Sequence, residues 1–269
     1  MVSWTLAVAN ASDAVVESIC RRLGIDDSKF VEIESKRRIV PEDLPDLRKF
    51  LLKKKDVKHE KSVLFFDQFL DTPDMALFKK GCSLRLRYKR NGGRVYLQYK
   101  GPGFKSRGLL FRSEFSTERL RHVLMEESHH DIVHFADTSV REILANHAEP
   151  AMSRALRGHF GQKTVGRITA GPILCAYQKE KFVVELGSVF LEPSLDRVFA
   201  FHIGRRGPHP LSTFCEYENE VKSASSNLEA KLKRIPELLR FDAMLSREFK
   251  MPPEPFDKYH RCSSFFLKR

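Results

Sequence analysis

The chain has 269 residues, of which 42% are hydrophobic and 30% charged, and its net charge is +12. This composition is typical of a soluble globular protein with a packed core, and no apolar run is long enough to cross a bilayer. The basic surplus favours anionic partners such as phosphates, nucleic acid or acidic membrane, but it does not choose among them.

The cysteines are few and scattered, with no C-x-x-C spacing among them. Such a set is typical of reduced thiols in an intracellular protein. The first residues show no basic region of the kind that begins a secretory leader. We therefore expect a soluble, cytoplasmic protein with five free cysteines, Cys20, Cys82, Cys175, Cys215 and Cys262.

The first part of the chain is predicted to alternate helices with strands. The apolar spacing of residues 11–23 indicates a short amphipathic helix, and a strand follows over about 30–40. Residues 41–54 are predicted to form a helix, because two prolines and acidic residues lie near its start and lysines near its end. A second strand is predicted over residues 62–73.

The clearest local pattern is a hairpin over residues 82–103. Two alternating runs flank Asn91-Gly92-Gly93, a sequence that favours a tight hairpin turn. One face of the hairpin is basic and polar, whereas the opposite face is apolar. We expect the apolar face to lie under helices and the basic face to carry Arg85, Arg87, Lys89 and Lys100.

The second part of the chain begins with residues 116–160, which are predicted to be helical. Strand patterns return from about residue 172 to 223, and residues 225–245 are predicted to form another helix. Residues 252–266 are predicted to be a strand or loop. Strands followed by helices and then by strands predict an α+β fold with a mainly antiparallel sheet, and the lack of a linker favours one domain.

Charged residues occupy every second position of several predicted strands. Side chains at alternate positions share one face of a strand, so Glu32, Glu34 and Lys36 project together. A solvated strand face would also show this alternation, and for one strand alone that is the simpler interpretation. Across several strands, the like charges would repel one another unless metal ions bound the carboxylates and an anion bound the cations. Glutamates suit Mg²⁺ or Mn²⁺, and arginines and lysines suit phosphates.

Six segments, in this order, resemble the CYTH domain of the triphosphate tunnel metalloenzymes: EIESK, LRLR, LQYKGP, YQKEKF, SLDRV and EYENE. The resemblance covers about residues 30–222. It implies an α+β fold in which eight antiparallel strands close into a tunnel, a closed barrel with helices packed outside and charged side chains within. It also divides the chain into a helical N-terminal extension over residues 1–29 and a tunnel domain over residues 30–269.

The resemblance implies roles for particular residues. The catalytic set would be Glu32, Glu34, Lys36 and Asp196. Mg²⁺ or Mn²⁺ would be held by Glu32 and Glu34 together with two of Glu216, Glu218 and Glu220, because two overlapping E-x-E pairs leave that choice open. The triphosphate would be bound by Lys36, Arg85, Arg87, Lys100, Lys181 and Lys258, although the family usually has arginine at the position of Lys181.

The function implied is metal-dependent hydrolysis of the terminal phosphate of inorganic triphosphate or of an organic triphosphate. One alternative with the same fold is a class IV adenylyl cyclase, which makes cyclic AMP and pyrophosphate from ATP. Another is a non-catalytic module that binds polyphosphate, nucleotide or RNA. The expected partners are a small-molecule triphosphate and, among nucleic acids, only a 5′-triphosphate RNA end; no membrane is expected, and the chain would be a monomer or homodimer.

Overall fold

The computed structural model describes residues 13–89, 94–117, 126–129 and 132–268, with the backbone alone at 126–129, 133 and 137–139. The strands are β1 (Val31–Ile39), β2 (Lys58–Asp71), β3 (Ser83–Lys89), β4 (Val95–Ser106), β5 (Leu109–Thr117), β6 (Glu126–His129), β7 (Ile132–Phe135), β8 (Thr169–Leu186), β9 (Val189–Gly204) and β10 (Gly207–Ser223). The helices are α1 (Asp13–Leu23), α2 (Leu44–Leu52), α3 (Ala76–Lys79), α4 (Asp137–Asn146), α5 (Pro150–Phe160), α6 (Gln162–Val165), α7 (Leu228–Leu232), α8 (Ile235–Glu248) and α9 (Lys258–Leu267).

Eight of these strands close into an antiparallel barrel in the order β1-β10-β9-β8-β2-β3-β4-β5, with β5 paired back to β1. This confirms the predicted eight-stranded closed barrel within an α+β fold. The register places Glu34 opposite Glu220 and Lys36 opposite Glu218. Because side chains alternate between the two faces of a strand, the charged positions of neighbouring strands meet on the inner face of the barrel.

Much of the outer face of the barrel is apolar and packs against helices. On the predicted hairpin, the arms β3 and β4 bury Leu84, Leu86 and Leu97 completely, as expected for a face under helices. The turn residues 91–93 of that hairpin lie outside the described residues. None of the helices in the described part of the chain has the length and apolar character needed to span a membrane.

The prediction of helix across residues 116–160 is wrong at its start. Strand β5 continues to Thr117, and β6 pairs with β7 in a small separate sheet before α4 begins; residues 118–125 lie outside the described part. The Gln68 side chain on the outer face of β2 donates from Nε2 to the carbonyl of Phe135 (3.1 Å) and accepts from its backbone amide (2.7 Å). This side chain therefore pairs with β7 as a neighbouring strand would, a contact that local sequence does not reveal.

The chain end forms a helix, α9, where a strand or loop was predicted. Asp257 caps this helix by accepting a hydrogen bond from the backbone amide of His260 (2.9 Å). The preceding segment runs beside β1, since Arg38 donates to Pro252 (2.9 Å) and Glu254 donates to Lys36 (3.0 Å), all through backbone atoms. The chain end is thereby fixed to the strand that carries the first predicted glutamates.

Helix α9 packs against the inner face of the barrel at one end of the lumen. The inward positions of β8, β9 and β10 change from charged to apolar near this end, where Cys175, Tyr177 and Phe214 are buried. Tyr259 and Cys262 of α9 complete the same apolar cluster. The charged half of the lumen is therefore a pocket that is closed at the α9 end.

Candidate functional site

The charged half of the lumen is a cavity of about 210 Å³. Among the described residues, nine cationic and seven carboxylate side chains line it. The cations are Lys36, Arg85, Arg87, Lys100, Arg112, Lys179, Lys181, Lys222 and Lys258, and the carboxylates are Glu32, Glu34, Glu114, Glu192, Glu218, Glu220 and Asp257. The cavity therefore holds many charged groups, but the positive and negative charges nearly cancel.

The structure places every residue of the predicted site in or directly behind this cavity. Ten of them line it: Glu32, Glu34, Lys36, Arg85, Arg87, Lys100, Lys181, Glu218, Glu220 and Lys258. Asp196 and Glu216 lie deeper, fully buried, and both contact the Lys258 ammonium. All three glutamates of β10 face inward, so the overlapping E-x-E pairs form one continuous row.

Arg112 on β5 joins the two glutamates of β1. Its guanidinium donates from Nε to Glu32 (2.8 Å) and from Nη2 to Glu34 (2.5 Å), and it contacts Asp257 (3.4 Å). Burial alone would raise the pKa of Glu32, but the charges of Lys100 and Arg112 outweigh burial and hold that pKa well below its usual value. Glu32 is therefore ionised, and Arg112 fixes its orientation.

One carboxylate cluster, called here the outer cluster, consists of Glu32, Glu114 and Glu220. One oxygen of each residue lies within 4.8 Å of those of the other two. Burial raises the pKa of Glu220 to about 7; Lys222 opposes this shift, and the charges of Glu32 and Glu114 add to it. Three crowded carboxylates are the donor set that Mg²⁺ or Mn²⁺ prefers, so these residues fit a divalent cation.

A pH experiment tests the crowding at Glu220. A carboxyl group whose pKa rises from its usual 4.5 to about 7 on folding stabilises the fold while it is protonated. That contribution is complete below the unfolded pKa and is lost as the pH rises through the folded one. In EDTA, we expect Glu220→Gln to gain stability relative to the parent protein between about pH 5 and about pH 8, measured by urea denaturation. A difference that does not change with pH would contradict the crowding.

A second cluster, called here the inner cluster, consists of Asp196, Glu216 and Glu218. One carboxylate oxygen of each residue again lies within 4.8 Å of those of the other two. Unlike the outer cluster, it lies at the α9 end of the cavity and surrounds the Lys258 ammonium. Burial raises the pKa of Glu216, and the charge of Lys258 opposes that rise.

The two arginines of β3 share a buried counter-ion, Asp67. Arg87 makes two hydrogen bonds of 2.8 Å to its carboxylate, and Arg85 contacts it at 3.1 Å. Burial would raise the pKa of Asp67, but Arg85 and Arg87 outweigh it and lower that pKa to about 2. The guanidinium of Arg87 also lies over the ring of Phe65, 5.0 Å from its centroid. Both guanidiniums are thus held in fixed positions.

The mouth of the cavity carries two further ion pairs. Lys181 contacts Glu192 at 2.7 Å, and Lys222 contacts Glu220 at 2.7 Å. Burial lowers the pKa of Lys181, although Glu192 opposes that shift. The lysine that stands where arginine is usual thus lies at the mouth, already paired with a glutamate.

Several residues of the chamber were not among those predicted. Arg112 and Glu114 alternate along F-R-S-E-F, and Asp67 lies at the centre of F-F-D-Q-F. These alternating patterns indicate strands but do not show which face is inside. The other unpredicted charged residues are Lys179, Glu192, Lys222 and Asp257.

Residues 31–148 match the family model of the CYTH domain. Among solved structures, the chain is similar to HpAC1 from Hippeastrum, an adenylyl cyclase candidate with a dominant triphosphatase activity, at a TM-score of 0.54 and 18% identity over 87% of this chain and 95% of that one. An adenylate cyclase candidate from Bacillus halodurans is similar at a TM-score of 0.48 and 18% identity, over 86% of this chain and 96% of that one. The RNA triphosphatase Pct1 of Schizosaccharomyces pombe is similar at a TM-score of 0.42 and 10% identity, over 89% of this chain and 92% of that one. No curated protein matches the sequence.

Proposed function

We propose that the charged cavity hydrolyses the terminal phosphate of inorganic triphosphate or of an organic triphosphate, because residues 31–148 match the family model of the CYTH domain and the strands close into an eight-stranded barrel. The observation that supports this proposal is the meeting of the outer carboxylate cluster with a set of arginines and lysines in one buried chamber. A simple anion-binding site has no use for so many carboxylates beside its ligand. A divalent cation together with a phosphate chain would use both sets.

Mg²⁺ or Mn²⁺ would be held by Glu32, Glu114 and Glu220. When bound, such an ion supplies Lewis-acid chemistry at a phosphoryl oxygen. Glu34, although predicted as a ligand, accepts from Arg112 in this structure and holds that guanidinium against the lumen. The proposed catalytic contribution of Glu34 is therefore to position Arg112 and, through it, Glu32.

The cations of the chamber bind and orient the phosphate chain. Arg85, Arg87 and Lys100 are each held by a carboxylate at short range before substrate arrives. Such fixed charges stabilise the phosphates without first reorganising, which is the main source of acceleration in phosphoryl transfer. Lys36 at the inner end and Lys181 at the mouth extend this set along the cavity.

The closed α9 end determines how a substrate enters. Tyr259 and Cys262 fill the lumen beyond the charged residues, so a phosphate chain enters end-first from the mouth. Any organic group on the substrate would then stay near Lys181, Glu192 and Lys222, outside the charged interior. In the proposed reaction, water attacks the terminal phosphorus and the bond from that phosphorus to the bridging oxygen breaks, so that orthophosphate is released without a covalent intermediate.

A panel of substrates tests this proposal. Inorganic triphosphate, thiamine triphosphate, ATP and 5′-triphosphate RNA would each be incubated with Mg²⁺ or Mn²⁺, with an EDTA control. We expect orthophosphate release that EDTA abolishes. Pyrophosphate and cyclic AMP from ATP would instead indicate a cyclase, and binding without turnover of any substrate would indicate a binding module; either outcome would contradict the proposal.

Arg87→Ala is expected to raise KM and to lower kcat. This side chain would contact phosphate in the ground state and in the transition state, so kcat/KM should fall about 10- to 100-fold. Arg87→Lys keeps the charge but loses the two parallel hydrogen bonds to Asp67, and an intermediate effect is expected. Lys58→Ala, an exposed lysine paired with Glu185, is the matched control. Steady-state phosphate release measures all three, and a kcat/KM of Arg87→Ala equal to that of the control would exclude the assigned role.

A further inference from the structure

The inner cluster surrounds a single ammonium group. The Nζ atom of Lys258 lies 2.7 Å from Asp196 Oδ2, 2.5 Å from Glu216 Oε1 and 2.8 Å from Glu218 Oε1. An ammonium has three N–H donors, and here three carboxylates lie at hydrogen-bonding or ion-pair distance. The Lys258 side chain is only 4% exposed. One protein cation thus occupies the position, between three carboxylates, that a metal ion would take.

Two further lysines complete the charge balance of the inner cluster. Lys36 lies 2.7 Å from Glu218, and Lys179 lies 2.7 Å from Glu218 and 3.4 Å from Asp196. With Lys258, three ammonium groups face three carboxylates. Burial alone would lower the pKa of Lys258, but the charges of Asp196, Glu216 and Glu218 outweigh it and raise that pKa well above its usual value.

The outer cluster has no comparable central cation among the described contacts. Lys100 contacts Glu32 (2.7 Å) and Glu114 (3.4 Å), and Lys222 contacts Glu220 (2.7 Å). Of the three carboxylates, Arg112 contacts Glu32 (2.8 Å) and Arg85 contacts Glu114 (3.9 Å). Each of these four cations therefore contacts at most two of the three carboxylates. The two clusters share a donor type but differ in what occupies their centre.

Helix α9 holds Lys258 in its position. Lys258 is the first residue of the helix and follows the capping residue Asp257. Tyr259 donates from its hydroxyl to Asp71 (2.8 Å), and the two ring nitrogens of His260 contact Asp257 (2.7 Å) and the carbonyl of Phe78 (2.9 Å). The ammonium is therefore fixed in the lumen by contacts on both sides of the residue.

We propose that the Lys258 ammonium is the resident cation of the inner cluster, so that divalent ions bind to the outer cluster and not to Asp196, Glu216 and Glu218. This inference deepens the proposed function, on which it rests for the divalent site of the outer cluster. It replaces the metal-binding role predicted for Glu216 and Glu218. It also removes Lys258 from the phosphate-binding set, since its ammonium donates a hydrogen bond to Glu218 and forms ion pairs with Asp196 and Glu216.

Counting bound Mn²⁺ without any triphosphate tests this inference. Electron paramagnetic resonance of free Mn²⁺ gives the number of sites, and we expect one per chain in the parent protein and two in Lys258→Met. The second site should disappear in the double variant Lys258→Met/Asp196→Asn. Lys80→Met is the control, because the Lys80 ammonium donates to the carbonyl of His159 (2.6 Å) outside the cavity, and this variant should keep one site.

Two results would overturn the inference. One is a Lys258→Met protein, folded by circular dichroism, that binds no additional Mn²⁺. The other is loss of one Mn²⁺ from the parent protein on introducing Asp196→Asn alone, which decides the question even if Lys258→Met does not fold. A parent protein that binds no Mn²⁺, with a variant that binds one, would support the inference while contradicting the metal site of the proposed function.

Discussion

Arg112→Met is expected to lower the free energy of unfolding by about 3–5 kcal/mol and to abolish turnover. The guanidinium of Arg112 contacts Glu32, Glu34 and Asp257, and all of these side chains are at least nine-tenths buried. Removing one partner of a buried ion pair leaves charges that neither water nor protein compensates. Lys100 would still neutralise Glu32, but no other ion pair to Glu34 is described.

Urea denaturation at neutral pH measures this loss of stability. Arg167→Met is the matched control, because Arg167 forms an exposed ion pair with Asp74, and such a pair contributes at most about 1 kcal/mol. Arg112→Lys keeps the positive charge but lacks the planar guanidinium that donates to several carboxylates at once, so it should lose less stability than Arg112→Met. A loss in Arg112→Met no larger than that of Arg167→Met would show that Arg112 does not hold the two glutamates.

Glu32→Gln is expected to reduce Mn²⁺ affinity and kcat/KM by about 100-fold or more while the protein stays folded. Glutamine has nearly the same shape as glutamate but lacks the charge that a divalent cation requires. Glu32 is also the one residue that belongs to the outer cluster and contacts both Lys100 and Arg112. The substitution therefore removes a ligand charge and loosens two cations of the chamber.

Mn²⁺ titration and phosphate release, measured on the same preparations, check this expectation. Glu185→Gln is the control, since Glu185 is exposed and pairs with Lys58 outside the cavity. Partial recovery of turnover at high Mn²⁺ would show that metal affinity is what was lost. If the turnover of Glu32→Gln at low Mn²⁺ lies within about threefold of that of Glu185→Gln, Glu32 does not belong to the proposed site.

The sequence predicts, for a physical reason, which charged residues share one face of a strand. A period of two places Glu32, Glu34 and Lys36 on one side of β1, and the same rule holds for Arg85 and Arg87 on β3. Periodicity alone does not distinguish a lumen from a solvated face. The order of the six segments, through the family they resemble, supplied that distinction.

The remainder of the site depends on contacts between distant parts of the chain. Arg112 acquires its position only when β5 pairs with β1, and Asp67 only when β2 pairs with β3. Helix α9 carries a visible capping residue in Asp257, but nothing local shows that the helix enters the lumen. Similarly, β7 is held by the Gln68 side chain, more than sixty residues away in the chain. Local propensity cannot predict such contacts.

The central claim is that the outer cluster holds a divalent cation against a phosphate chain inside the barrel. Diffraction from crystals containing Mn²⁺ and inorganic triphosphate, with the anomalous signal of Mn²⁺ recorded, tests it most directly. We expect a Mn²⁺ peak between Glu32, Glu114 and Glu220, with phosphate oxygens at Arg85 and Arg87. Mn²⁺ and triphosphate located only on the outer surface of the barrel, with the cavity holding water alone, would contradict the claim.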